Sequence, residues 1–115
     1  MIIYGIKNCD TVKKALTWLN EKGVDFKFHD YKKEGVAEEK LKNWCQQVGW
    51  EILLNKKGTT WRKLNEAEQV SVINEATAIK IMMNNTSIIK RPVLEKAGKV
   101  MAVGFDEAVW GEKVN

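Results

Sequence analysis

Residues 2–12, Ile2-Ile3-Tyr4-Gly5-Ile6-Lys7-Asn8-Cys9-Asp10-Thr11-Val12, decide the reading of this chain. Ile2, Ile3 and Tyr4 form a β-branched and aromatic run that stops at Gly5, the pattern of a short buried strand in a parallel sheet. Beyond Cys9, Val12, Ala15, Leu16 and Leu19 recur at helical spacing, Lys13, Lys14 and Asn20 fall elsewhere, and Gly23 supplies a stop. Cys9 therefore stands where the first strand hands over to the first helix. Backbone N–H groups lack intrahelical partners at such a junction, and the helix dipole presents its positive end.

The next segments extend this start. Phe26 and Phe28 alternate with Lys27 and His29 before Tyr31, which predicts a second strand, parallel to the first and joined to it by a right-handed crossover. Leu41, Trp44, Cys45 and Val48 lie at i, i+3, i+4 and i+7 of a helix ended by Gly49, with Cys45 on the buried stripe. Residues 50–64 read as short helical turns and loop. Asn65 with Glu68 forms a capping pair, and Ala76, Ile79, Met82 and Met83 mark the face of a further helix closed by Asn84-Asn85. Two runs, Ile88-Ile89 through Arg91-Pro92-Val93-Leu94 and Val100 to Val103, flank a turn at Ala97-Gly98-Lys99 and predict an antiparallel hairpin. Asp106 caps a last helix carrying Val109 and Trp110. The order βαβ, helical block, ββα is an α/β, thioredoxin-like plan with a mixed sheet and an enlarged helical middle.

Composition bounds the rest. A chain of 115 residues with 44% hydrophobic and 30% charged residues has a core to bury and room for one domain, expected over 1–115. No apolar run approaches the roughly 18 residues needed to cross a bilayer, and the N-terminus lacks a leader pattern, so a cytoplasmic protein without a membrane partner is expected. The net charge of +4 is scattered along the chain rather than gathered in a block, which argues against a nucleic-acid partner. Two cysteines, Cys9 and Cys45, cannot make a disulfide scaffold and have no zinc spacing, so no metal is expected.

Chemistry concentrates at Cys9. Its neighbours Asn8, Asp10 and Thr11 are polar, and Lys7, Lys13 and Lys14 are close in sequence, so a thiolate is favoured. Cys45, between apolar stripe partners, reads as structural. Val12 occupies the position of a second cysteine at the C-x-x-C spacing, so any redox cycle must draw on an outside thiol. Pro92, the one proline, opens a strand in the second half of the plan, where a cis bond facing the reactive cysteine is expected. Arg91 beside it offers a bidentate fork for a carboxylate or oxyanion, and Arg62 is a second candidate. His29 reads as a structural strand residue.

Four segments carry a resemblance: Tyr4-Gly5-Ile6-Lys7-Asn8-Cys9-Asp10-Thr11, Phe28-His29-Asp30-Tyr31, Gly58-Thr59-Thr60-Trp61-Arg62-Lys63-Leu64 and Ile88-Ile89-Lys90-Arg91-Pro92. Together they resemble the arsenate-reductase-like family, which includes the Spx regulators, and within it the small YffB-like bacterial proteins. The resemblance implies a thioredoxin-like fold with Cys9 as nucleophile, and Asn8, Arg62, Arg91 and cis Pro92 as substrate- or glutathione-binding residues. It implies a thiol–disulfide reductase with glutathione as cosubstrate, whose partner is glutathione or a small oxidised thiol. Arsenate reductases of the family hold the oxyanion with three arginines. Arg91 matches one, Asn55 and its neighbours stand where another is expected, and Val100-Met101-Ala102-Val103 lacks the third, so arsenate reduction is the weaker implication. The remaining alternative is a non-catalytic regulator that binds another protein, although the two-cysteine switch common among the family's RNA-polymerase-binding regulators is removed by Val12.

Overall fold

The computed structural model describes residues 1–114. In chain order the elements are β1 (Ile2–Gly5), α1 (Asp10–Glu21), β2 (Lys27–Asp30), α2 (Tyr31–Glu34), α3 (Glu38–Val48), α4 (Trp50–Leu53), α5 (Thr59–Lys63), α6 (Glu66–Val70), α7 (Glu75–Asn84), a 3-10 turn (Thr86–Ile88), β3 (Val93–Lys96), β4 (Lys99–Val103) and α8 (Glu107–Val114). They divide into a sheet unit, Met1–Glu34 with the chain from Arg91 onward, and a helical unit, Gly35–Lys90.

The sheet unit is built on a four-stranded mixed sheet in the order β2-β1-β3-β4. β1 runs parallel to β2 and antiparallel to β3, which pairs antiparallel with β4. The register sets Ile3 beside Phe28 and Leu94, and Leu94 beside Ala102, on one face. There they pack with Ala15, Trp18 and Leu19 of α1 and Trp110 of α8. Periodicity placed Leu16 on the buried stripe, but the structure buries Trp18 and leaves Leu16 half-buried. The reason lies far along the chain: Phe105 and Trp110 meet the Trp18 ring edge-on at 6.0 and 6.2 Å, a favoured aromatic geometry. α8 starts as expected, with Asp106 Oδ1 accepting the N–H groups of Ala108 and Val109 at 2.9 and 3.2 Å. Trp110 is buried and Val109 exposed, so one residue of the expected pair faces solvent.

The hairpin is shorter than its sequence pattern. Ile88 belongs to the 3-10 turn, Ile89 forms an isolated bridge with Leu54, and the strand begins at Val93. Its loop, Ala97-Gly98, has φ of 51° and 80°, both in the left-handed region that two-residue hairpin turns of the primed type demand.

In the helical unit, α3 buries Leu41, Trp44 and Cys45 and ends at Gly49. Residues 50–64 resolve into α4 and α5, and Asn65 with Glu68 makes the expected capping box on α6. A second box, Asn74 with Thr77, opens α7. That helix buries Ala78, Ile79 and Met82, while Ala76 and Met83 face outward. Backbone bonds from Asn55 N–H to Ile88 and from Lys90 N–H to Leu53 tie the end of the unit to its middle. Among the described residues no helix is long and apolar enough to cross a membrane.

Candidate active site

The turn that carries Cys9 starts from a glycine. A Cβ on Gly5 would lie 2.8 Å from Val12 Cγ2, so the bare backbone at the end of β1 lets α1 approach it closely. The chain then turns through buried Ile6 and exposed Lys7 and Asn8 to Cys9. Cys9 has extended φ and ψ of −109° and 123° at the N-cap of α1, and its carbonyl accepts the Lys13 N–H at 2.9 Å. Cys9 is only partly exposed.

β-Pairing brings Arg91 to this turn. Tyr4 sits opposite Val93 in antiparallel register, so the residues following Tyr4 run alongside those preceding Val93. The Arg91–Pro92 peptide bond is cis. Pro92 is buried, its carbonyl accepts the Gly104 N–H at 2.8 Å, and Arg91 is half-buried.

Burial alone would raise the Cys9 thiol. The N–H of Val12, the hydrogen bond and charge of the Arg91 guanidinium, and the N–H of Thr11 together overcome it and hold the thiol below its ordinary value. The charge at work is thus Arg91's and not that of the lysines adjacent in sequence. Cys45 is the opposite case. Buried on α3, its thiol is pushed up to about 11 by burial and by the negative charge of Glu75.

A second group of polar residues in the sheet unit escaped the sequence reading. Tyr4 Oη donates to Glu95 Oε1 at 3.0 Å, and Glu95 is only 2% exposed. Burial and the Glu95 carboxylate raise the Tyr4 phenol. The His29 ring lies 4.8 Å from that of Tyr4, and its Nδ1 is 3.6 Å from Glu34 Oε2. Tyr31 stacks on Tyr4 at 6.4 Å, its phenol raised by burial and the charge of Tyr4 and lowered by Arg91. The guanidinium beside Cys9 therefore also acts on a buried tyrosine. The available signal was spacing: Glu95 lies two residues beyond buried Val93, on the same side of the strand.

Of the residues singled out from the sequence, the structure gathers Cys9, Arg91 and Pro92 in the sheet unit, with Asn8 exposed on the same turn. Arg62 lies exposed on α5, in the helical unit. Among the described residues no group of His, Cys, Asp or Glu side chains is placed to hold a metal ion.

Known proteins share this fold. The chain is similar to the YffB protein, 47% identical, with a TM-score of 0.93 over 99% of this chain and 98% of that one. An arsenate reductase (ArsC) related protein from Brucella melitensis is 50% identical, with a TM-score of 0.77 over 96% of this chain and 91% of that one. The global transcriptional regulator Spx of Lactiplantibacillus plantarum is 26% identical over 93% of this chain and 80% of its own length. The model of the ArsC family matches residues 4–113, through both units. With its thioredoxin-like sheet, its N-capping cysteine and its arginine before a cis proline, the chain belongs to the ArsC family.

Proposed function

We propose that this protein is a single-cysteine thiol–disulfide reductase that uses glutathione as cosubstrate. The observation that carries the reading is the lowered thiol of Cys9, poised between two helix N–H groups and Arg91. In the proposed cycle the Cys9 thiolate attacks the glutathione sulfur of a mixed disulfide. The S–S bond breaks, the departing thiolate takes a proton from water, and Cys9 is left joined to glutathione. A second glutathione thiolate then attacks the glutathione sulfur of that adduct, releasing oxidised glutathione and restoring Cys9. No second protein thiol takes part, which agrees with Val12 at the C-x-x-C position and with the buried, raised Cys45.

In this reading Arg91 holds the thiolate and a ligand carboxylate, and Asn8 and Pro92 border the bound tripeptide. Arg62 is carried as a further candidate glutathione contact, on its guanidinium chemistry and on its place in the Gly58–Leu64 segment of the resemblance. We take 1–115 as one functional domain, because the family model runs through both units, and place it in the cytoplasm, because two free cysteines without a disulfide framework suit a reducing compartment. The similarity to Spx favours a second reading, a regulator that binds another protein without turnover. A coupled assay decides between them, with the mixed disulfide of glutathione and 2-hydroxyethanethiol as substrate and glutathione reductase recycling the product. The reductase reading expects turnover that Cys9→Ser abolishes and negligible activity with arsenate. Absence of turnover, or turnover unaffected by Cys9→Ser, rejects it.

A further inference from the structure

A cleft of about 470 Å³ in the sheet unit lies against β2, an edge strand of the sheet. Leu16 of α1 and Phe28 of β2 form its apolar floor, both half-buried and packed on the hydrophobic core. Lys7, Lys13 and Lys33, all exposed, bring three amino groups to its lining. The volume falls within the roughly 300–1,000 Å³ of small-molecule pockets, and an apolar floor with a few charged groups is their usual make-up.

The charges of the lining do not fully cancel. Two carboxylates, Asp30 and Glu34, also line the cleft and offset two of the three ammonium groups, which leaves an excess of one positive charge. Asp30 Oδ1 accepts the Lys32 N–H at 2.9 Å, while Glu34 Oε2 accepts the Asp30 N–H at 3.2 Å and lies 3.6 Å from His29 Nδ1. Among the described residues no ion pair joins Lys7, Lys13 or Lys33 to a carboxylate. Nor are Lys7 and Lys13 spent on the neighbouring thiol, where the acting charge is that of Arg91.

We propose that this cleft is a binding site for a small anion with an apolar body: an aryl or short acyl group seated on Leu16 and Phe28, its single carboxylate or phosphate held by Lys7, Lys13 and Lys33. Carboxylate and phosphate share the chemistry the lysines recognise, since an ammonium acts as a point charge with rotatable donors rather than as a planar fork. The site makes no use of the Cys9 sulfur. It can therefore be tested in the Cys9→Ser protein, where failure of the reductase reading has no bearing on the outcome.

The experiment is a titration of ¹⁵N-labelled Cys9→Ser protein with 2-naphthoate, followed by amide shifts, and repeated with 2-naphthyl phosphate and the neutral naphthalene-2-methanol. Saturable shifts are expected at the amides of Lys7, Lys13, Leu16, Phe28 and Lys33 with either anion. The Lys7→Gln/Lys13→Gln/Lys33→Gln variant should bind about tenfold or more weakly, and the neutral alcohol likewise, because the partly screened attraction between the anion and the three ammonium groups is lost in each case. All three positions are exposed, so the variant is expected to keep its fold, and its amide spectrum checks this. Three results would overturn the proposal: shifts in the clefts around Trp18 with none at Lys7, Phe28 or Lys33, equal affinity for the alcohol, or undiminished binding by the folded triple variant.

Discussion

The guanidinium of Arg91 acts on the sulfur of Cys9 both as a hydrogen-bond donor and as a charge. The pairing of Tyr4 with Val93 brings these two residues, distant in sequence, to one end of the sheet. Replacing Arg91 by Ala removes both effects and leaves burial, which raises the thiol, opposed only by the Val12 and Thr11 N–H groups. The rate of Cys9 alkylation at pH 7 should fall, and its pH profile should move to higher pH. Reductase turnover should drop at least about tenfold, because a charge-assisted hydrogen bond contributes about 1.5–3 kcal/mol and partial exposure of the sulfur favours the low end. Arg91→Lys keeps the charge without the planar fork and should fall between the two. A profile identical to that of the unmodified protein in Arg91→Ala would remove arginine from the account of the thiolate.

The two cysteines should confer opposite pH dependences on stability. Cys9 is held below the ordinary value of 9.0, so the folded state releases its proton more readily than the unfolded chain. Its contribution is present above pH 9.0 and is lost as pH falls through the folded value. Cys45 is raised to about 11, so its contribution is present below pH 9.0 and is lost as pH climbs from there towards 11. Urea unfolding from pH 6 to 10 checks both. The advantage of the unmodified protein over Cys9→Ser should grow with pH, and its advantage over Cys45→Ala should shrink above pH 9. In native protein at pH 7, iodoacetamide should label Cys9 and spare Cys45 until urea exposes it.

Tyr4→Phe should destabilise the protein by about 1–3 kcal/mol, the cost of taking a donor from a buried acceptor. Its partner Glu95 is 2% exposed and sits 3.0 Å from the phenol oxygen. A cycle with Glu95→Gln tests the pair, since two groups in one hydrogen bond are not additive. The loss in the double variant should be clearly smaller than the sum of the single losses. Strict additivity would mean that the phenol and the carboxylate act independently.

Local signals marked most of what the sequence made legible. The Cys9 junction, the Asn65–Glu68 box, the Asp106 cap and the Ala97-Gly98 turn are each decided by a few adjacent residues, and each stands where the pattern put it. Misreadings arose where a distant element chose the face. Trp18 is drawn inward over Leu16 by rings from the far end of the chain. Ile88 and Ile89 read as strand but turn away to bond with Leu54 and Asn55, which no periodicity within residues 88–94 records. At the site, the sequence pattern marks Cys9 and the peptide Arg91–Pro92, whereas the charge it suggests for the lysines beside Cys9 comes from Arg91. The Tyr4–Glu95 pair needs more than spacing: Glu95 falls on the side of buried Val93, but a glutamate on a strand reads as solvent-facing unless its cross-strand partner is known.

Gly5→Ala tests how tightly the Cys9 turn is built. The added methyl would sit 2.8 Å from Val12 Cγ2 and 3.3 Å from Val12 Cγ1, with Phe28 Cε1 at an ordinary 3.7 Å. Val12 is fully buried in the first turn of α1, and a β-branched side chain in a helix has essentially one rotamer available. It cannot swing aside, so the helix start must move, and with it Cys9 one turn earlier. Such overpacking costs about 1–3 kcal/mol. Val12→Ala alone opens a small void and should also destabilise. The double variant Gly5→Ala/Val12→Ala returns the methyl to a space that two carbons have vacated, so its loss should be smaller than the sum of the single losses by at least about 0.5 kcal/mol. Cys9 alkylation reports the same geometry independently of global stability: it should slow in Gly5→Ala, as the sulfur leaves Arg91, and recover in the double variant. If Gly5→Ala is neutral in both readouts, the close approach of β1 to α1 is not what places the thiol.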